Sequence, residues 1–274
     1  MGKFLDLMER IVNGAPTALG FGTVRAPKVP SMALIALVSG RHAAGLKAVA
    51  GLAPDAALLS GLKGPSGLGE LKSALPKVPW GVRTGGLSES EAQEYREQGC
   101  DLMAFPLQGT TAAALDSEEV GRVLCLEPGM QEHELRAIDT LPVDAWLVNM
   151  TAVSGPWTLQ DLMAVGNISR RASKYLLLAV SQPPGKKDLE ALRDLGVCGL
   201  VLDVAEATPE ALKGLKADLL DMPRRRPQRK ERTAALLPGS VYGGAQAAPA
   251  HEEEEEEEED DEKVPIRPRR LCQA

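Results

Sequence analysis

The sequence predicts an α/β fold in which eight parallel strands close into a (β/α)8 barrel, and three observations carry that prediction. Eight short apolar runs recur, at 33–38, 56–60, 79–83, 101–105, 122–126, 145–149, 175–180 and 199–204, with starts 21 to 30 residues apart. Helix-like segments lie between most of them. The runs are nearly continuous in apolar character, as suits parallel strands buried on both faces. Strand and helix repeated eight times at even spacing favour closure. A doubly wound open sheet would give similar strands. No GxGxxG follows the first run, however, which removes the usual dinucleotide fingerprint of that fold.

The elements can be justified in chain order. Residues 3–12 read as an amphipathic helix, with Phe4, Met8 and Ile11 on one face and Asn13-Gly14 as a stop. Such a leading helix is expected to cap the bottom of the strand cylinder. Residues 13–31 are rich in Gly and Pro and form an irregular entry to the first strand. Ser88-Glu89-Ser90-Glu91 is a capping box, in which Ser88 and Glu91 satisfy each other's backbone amides. Thr208-Pro209-Glu210 places an N-cap residue before proline at the first helical position. Gly99 and Gly196 supply helix stops. Two stretches, YREQGCDLMAF at 95–105 and LRDLGVCGLVLDV at 192–204, echo each other as helix end, glycine and buried strand.

Composition changes abruptly near Met222. Residues 223–274 carry Pro, Gly and a basic cluster (Arg224, Arg225, Arg226, Arg229, Lys230, Arg232), then eight consecutive glutamates, Glu252–Glu259. Such a stretch buries too little apolar surface to fold alone. The expected division is therefore a barrel over 1–222 and a disordered, basic-then-acidic tail over 223–274. The closing VPIRPRRLCQA has the form of a short docking segment, which makes a protein partner one role for the tail.

The whole chain has 274 residues, 44% of them hydrophobic and only 3% aromatic, so Leu, Val and Ala must fill one sizeable core. A formal charge of −7 argues against non-specific nucleic-acid binding. Lys3, Asp6, Glu9 and Arg10 interrupt the N-terminal apolar residues, so no signal peptide is read there. No apolar run approaches the roughly 20 residues a transmembrane helix needs. The expected location is cytoplasmic. Cys100, Cys125, Cys198 and Cys272 form no CxxC pair and read as reduced thiols.

In a barrel of this kind the site lies at the C-terminal ends of the strands. The polar residues there divide by position. The first three strand ends bring Arg41, Lys63, Arg83 and Thr84 with several glycines. Later ends bring Glu127, Asn149, Gln182 and Asp203. Glycine-rich loops with Lys or Arg suit an anion, which Arg41, Lys63, Arg83, Thr84 and Gln182 are expected to bind. Glu127 and Asp203 are the expected acid–base pair, with Asn149 orienting. Lys63 as a Schiff-base lysine and Cys125 as a nucleophile are weaker readings. The loop after the eighth strand, 204–209, has no glycine and carries Glu206, unlike a phosphate grip. Only three histidines occur, so no metal site is assigned, although Glu127, Asn149 and Asp203 would suit hydrated magnesium. No cofactor is identified.

Residues 1–222 resemble the (β/α)8, or TIM-barrel, superfold in general. That resemblance implies a site at the strand C-termini and nothing about substrate. The functional expectation is a lyase or isomerase acting on an anionic metabolite by proton transfer. The alternative is a non-catalytic barrel scaffold whose charged tail recruits a protein partner.

Overall fold

The computed structural model describes residues 2–14, 28–39, 49, 51–62, 78–117 and 119–224. Eight parallel strands close into a barrel in sequential order: β1 (Ala33–Ser39), β2 (Ala56–Ser60), β3 (Trp80–Arg83), β4 (Leu102–Pro106), β5 (Gly121–Leu126), β6 (Ala145–Asn149), β7 (Tyr175–Val180) and β8 (Val197–Asp203). β8 pairs with β1 to complete the circle. Helix α1 (Lys3–Asn13) precedes the barrel. The connections carry α2 (Glu89–Glu97), a 3-10 turn (Ala112–Leu115), α3 (Glu132–Asp139), α4 (Leu159–Ser169), α5 (Lys186–Asp194) and α6 (Pro209–Asp221). The chain is thus a (β/α)8 barrel with a leading helix. Val49, Gly51 and Leu52, the described residues before β2, are helical; residues 63–77 between β2 and β3, and the expected tail from residue 225 onward, lie outside the described residues.

Local signals explain the helix ends. The Ser88 capping box forms, with Ser88 Oγ accepting from Glu91 N and Ser88 N donating to Glu91 Oε2. Thr158 and Asp161 build a second one at α4. Gly99 and Gly196 adopt φ values of 78° and 95°, a region that favours glycine. The fourth connection, between β4 and β5, carries a 3-10 turn among its described residues.

Alternation along the strands produces two cores. Ala33, Ile35, Leu58, Ala104, Val123, Leu147, Leu177 and Val201 point into the cylinder. Leu34, Leu59, Val82, Phe105, Trp146, Leu178 and Leu202 point outward and meet the helices. α1 belongs to the inner core: Phe4, Leu5, Leu7, Met8 and Ile11 are all buried with the inward-facing strand residues. Phe4 rests on Gly121, where an added Cβ would lie 2.5 Å from the ring. The expectation that this helix covers the floor of the cylinder therefore holds. β8 starts two residues before the expected position. The register slips between Leu176 and Leu177, which pair with Val197 and Gly199, so Cys198 is the extra residue of a bulge.

Aspartates brace the floor in a repeated way. Asp55, Asp101 and Asp144 each stand just before an even-numbered strand. Their backbone amides donate to the carbonyls of Leu34, Trp80 and Arg122 at 2.8–2.9 Å. Their carboxylates accept from the amides of the same three residues at 2.9, 3.2 and 2.9 Å. Each aspartate thus closes a reciprocal pair of hydrogen bonds across β1–β2, β3–β4 or β5–β6. Gly196 holds the corresponding place before β8 and has no side chain to do so; the bulge lies there instead.

Candidate functional site

The last inward-facing residue of each strand decides what the mouth of the barrel offers. On β1 this is Ser39, on β2 Ser60, on β3 Arg83 and on β8 Asp203. Ser39 and Ser60 are register partners, as are Ser60 and Arg83. A cleft of about 590 Å³ opens over these ends, with Thr151, Ser154, Ser181, Gln182 and Glu206 around its rim and Leu37, Ala179 and Val201 at its base. Apolar residues one step lower on each strand thus give way to polar ones at the top.

These polar groups form two chains of hydrogen bonds. In the first, Ser60 Oγ donates to Ser39 Oγ at 3.2 Å, and Ser39 Oγ donates to Asp203 Oδ2 in a short contact. The other oxygen, Asp203 Oδ1, accepts from the Ala205 backbone amide at 2.9 Å. Asp203 is therefore held in one orientation by groups from β1 and its own loop. In the second, Thr151 Oγ1 donates to Asn149 Oδ1 at 2.7 Å. Asn149 Nδ2 reaches both carboxylate oxygens of Glu127 at 3.4 Å. Asn149 thereby links Glu127, which is exposed beyond the end of β5, to the cleft wall at Thr151.

Cys125 faces inward on β5 beside Arg83. Burial pushes its thiol upward; the Arg83 charge and hydrogen bond pull it down, and Glu127 adds a smaller upward push. The net shift is upward, so Cys125 stays a neutral thiol at pH 7 and leaves the Arg83 charge uncompensated. Among the described residues no carboxylate lies within ion-pair distance of Arg83.

Of the residues expected from sequence, Arg83, Gln182 and Asp203 line one cleft. Glu127 and Asn149 meet each other at its edge. Thr84 does not line it: its Oγ1 lies 3.4 Å from the Ala104 carbonyl, reinforcing the edge of the β3–β4 pair. Arg41 and Lys63 lie outside the described residues. Ser39, Ser60, Thr151 and Ser154 were not singled out from sequence. Their signal was available for the two strand serines, because each ends a strand at the same inward phase as Arg83 and Asp203. Among the described residues no group of three His, Cys, Asp or Glu side chains is placed to hold a metal. Among the same residues no helix is long and apolar enough to cross a membrane.

The fold and mouth define a member of the TIM-barrel class. No family model matches the chain, and no curated protein matches it. Solved structures do. A mutant tryptophan synthase α-subunit from Pyrococcus furiosus is 13% identical, with 68% of this chain and 96% of that one covered at a TM-score of 0.55. KGPDC from Streptococcus mutans is 14% identical, with 69% and 97% covered at a TM-score of 0.52. At these identities the likeness is one of fold, and it stops short of a particular protein.

Proposed function

We propose that the chain is a small-molecule enzyme of lyase or isomerase type, acting on an anionic metabolite at the C-terminal mouth of the barrel. The observation that carries this reading is the presence of Arg83 and an oriented Asp203 in one cleft. Arg83 holds the anionic group of the substrate, with Gln182 as a neutral contact and Arg41 and Lys63 adding charge from the first two strand ends. Asp203 takes a proton from the bound substrate. Its fixed orientation removes rotamers that would aim the lone pairs elsewhere. An isomerase returns that proton to a neighbouring atom; a lyase passes it to the departing group. Glu127, joined to the wall through Asn149 and Thr151, is the second acid–base group.

Native mass spectrometry of the purified full-length chain tests this. The expected spectrum carries a small anionic adduct that Arg83→Gln loses and Asp203→Asn keeps. A protein that stays bare after incubation with a pool of carboxylate and phosphate metabolites would refute the reading.

The scaffold reading has one observation in its favour. α4 exposes Leu159 and Met163 at 85% and 59%, and Met163 borders a groove of about 840 Å³ between α3 and α4. An isolated apolar pair on a helix suits a protein contact. A partner lost on deleting 223–274, together with a mouth that binds nothing, would favour that reading.

A further inference from the structure

We propose that Asp203 acts through two serines: Ser60 accepts a hydrogen bond from a hydroxyl of the substrate, and the proton passes on through Ser39. The substrate is then an anion that carries a hydroxyl group near its charged end. This rests on the reading that the cleft is the substrate site.

Counting hydrogens fixes the direction of the chain. An ionised carboxylate only accepts, so the one hydrogen of Ser39 Oγ is spent on Asp203 Oδ2. The contact between the two serines, at 3.2 Å, must therefore take its hydrogen from Ser60. Ser60 then has no hydrogen left to give, and a group that meets its Oγ from the cleft has to donate. The charge on β8 thus sets the polarity of a hydroxyl on β2, and bonds aligned in this way strengthen one another.

Two other hydroxyls of the wall are spent in the same sense. Thr151 Oγ1 gives its hydrogen to Asn149 Oδ1 at 2.7 Å, and Ser181 Oγ donates to the Val153 carbonyl at 3.3 Å. Toward the cleft these oxygens offer lone pairs. The wall described by these residues receives hydrogens from a ligand.

Ser60 is the register partner of Arg83, so the substrate oxygen that donates to it lies near a guanidinium. On proton transfer the substrate O–H bond breaks and its electron pair stays on that oxygen, where the Arg83 charge stabilises it. Ser60 Oγ takes the proton and releases its own to Ser39 Oγ. Ser39 releases its own to Asp203 Oδ2. Both serines end as they began, and the proton rests on Asp203. The 3.2 Å link is the looser of the two, and contacts of this kind tighten when substrate is bound. Ser60 is the residue that touches substrate; Ser39 is a positioning residue.

The polarity can be reversed by one substitution. Asp203 Oδ1 accepts from the Ala205 amide at 2.9 Å. In Asp203→Asn the side-chain oxygen keeps that bond, which turns Nδ2 toward Ser39. Nδ2 donates to Ser39, Ser39 donates to Ser60, and Ser60 gains a hydrogen to offer to the cleft.

Titration calorimetry of the full chain with glycolate and methoxyacetate tests the proposal. The two acids differ in that a methyl group replaces the hydroxyl hydrogen. The wild type is expected to bind glycolate about fivefold or more tightly than methoxyacetate. Ser60→Ala, Ser39→Ala and Asp203→Asn are each expected to bring the ratio close to one, with circular dichroism showing the fold retained. Ser39→Thr, which keeps the hydroxyl, is expected to preserve the preference. No preference in the wild type, or a preference that survives Ser60→Ala or Asp203→Asn, would overturn the relay, as would its loss in Ser39→Thr. In those cases binding of both acids that Arg83→Gln abolishes leaves the site reading standing. Failure of both acids to bind, or binding that Arg83→Gln leaves untouched, would overturn the relay together with the site reading.

Discussion

Replacing Asp55 separates two roles of one buried side chain. Its carboxylate accepts from the Leu34 amide at 2.9 Å, and Leu34 is fully buried. In Asp55→Ala that amide loses its partner. A buried donor left unsatisfied costs about 1–3 kcal/mol, and this is the expected loss of unfolding free energy. In Asp55→Asn the amide oxygen still accepts, and the burden of burying a charge is gone. Burial raises the Asp55 carboxyl above its ordinary value, outweighing the Leu34 hydrogen bond and the Lys216 charge that pull it down. Folding therefore favours the protonated acid. The associated stability is complete at pH values below the ordinary aspartate range and is lost as pH climbs through the raised folded value. Asp55→Asn should thus match or exceed the wild type near about pH 7, and the wild type should gain on it as pH falls toward about 4. Urea unfolding of the three proteins across that range measures both effects. If Asn costs as much as Ala at neutral pH, or if the wild type loses ground to Asn on acidification, the reasoning fails.

Three other outcomes follow from the same structure. Asp144→Ala should cost about 3–5 kcal/mol in chemical denaturation, because it strips a two-point ion pair from an Arg122 side chain only 18% exposed. Phe4→Ala should cost about 3–5 kcal/mol by opening a cavity over Gly121, whereas Leu159→Ala, at 85% exposure, should stay within about 0.5 kcal/mol; thermal melts of both would show it. Cys125 should react with iodoacetamide more slowly than a free cysteine near about pH 8, and Arg83→Gln should slow it further by removing the charge that favours the thiolate. A faster reaction in that variant, read by peptide mass spectrometry, would refute the assigned pairing of Arg83 with Cys125.

The legible part of this protein was the part written in local pattern. Continuous apolar runs such as 175–180 and 145–149 became β7 and β6 without change, because a strand buried on both faces leaves no room for polar residues. Ser88, Gly99 and Thr208 marked their helix ends because capping is satisfied within a few residues. Phe4, Met8 and Ile11 announced a helix face, and the barrel supplied its mate. The bulge at Cys198 was not legible, since it depends on the register between β7 and β8.

The site divided along the same line. Sequence alone determined that Arg83, Gln182 and Asp203 stand at strand ends, since position along a strand is a local property. Only the tertiary structure decided which of them share a cleft, and which neighbours hold them. Ser39 and Asp203 are 164 residues apart, yet closure of β8 onto β1 joins them by a hydrogen bond. Thr84, one residue from Arg83, turns to the Ala104 carbonyl because side chains alternate along a strand. The rhythm of the sequence fixes which residues reach the mouth. Closure of the sheet and the phase of each strand decide which of them meet.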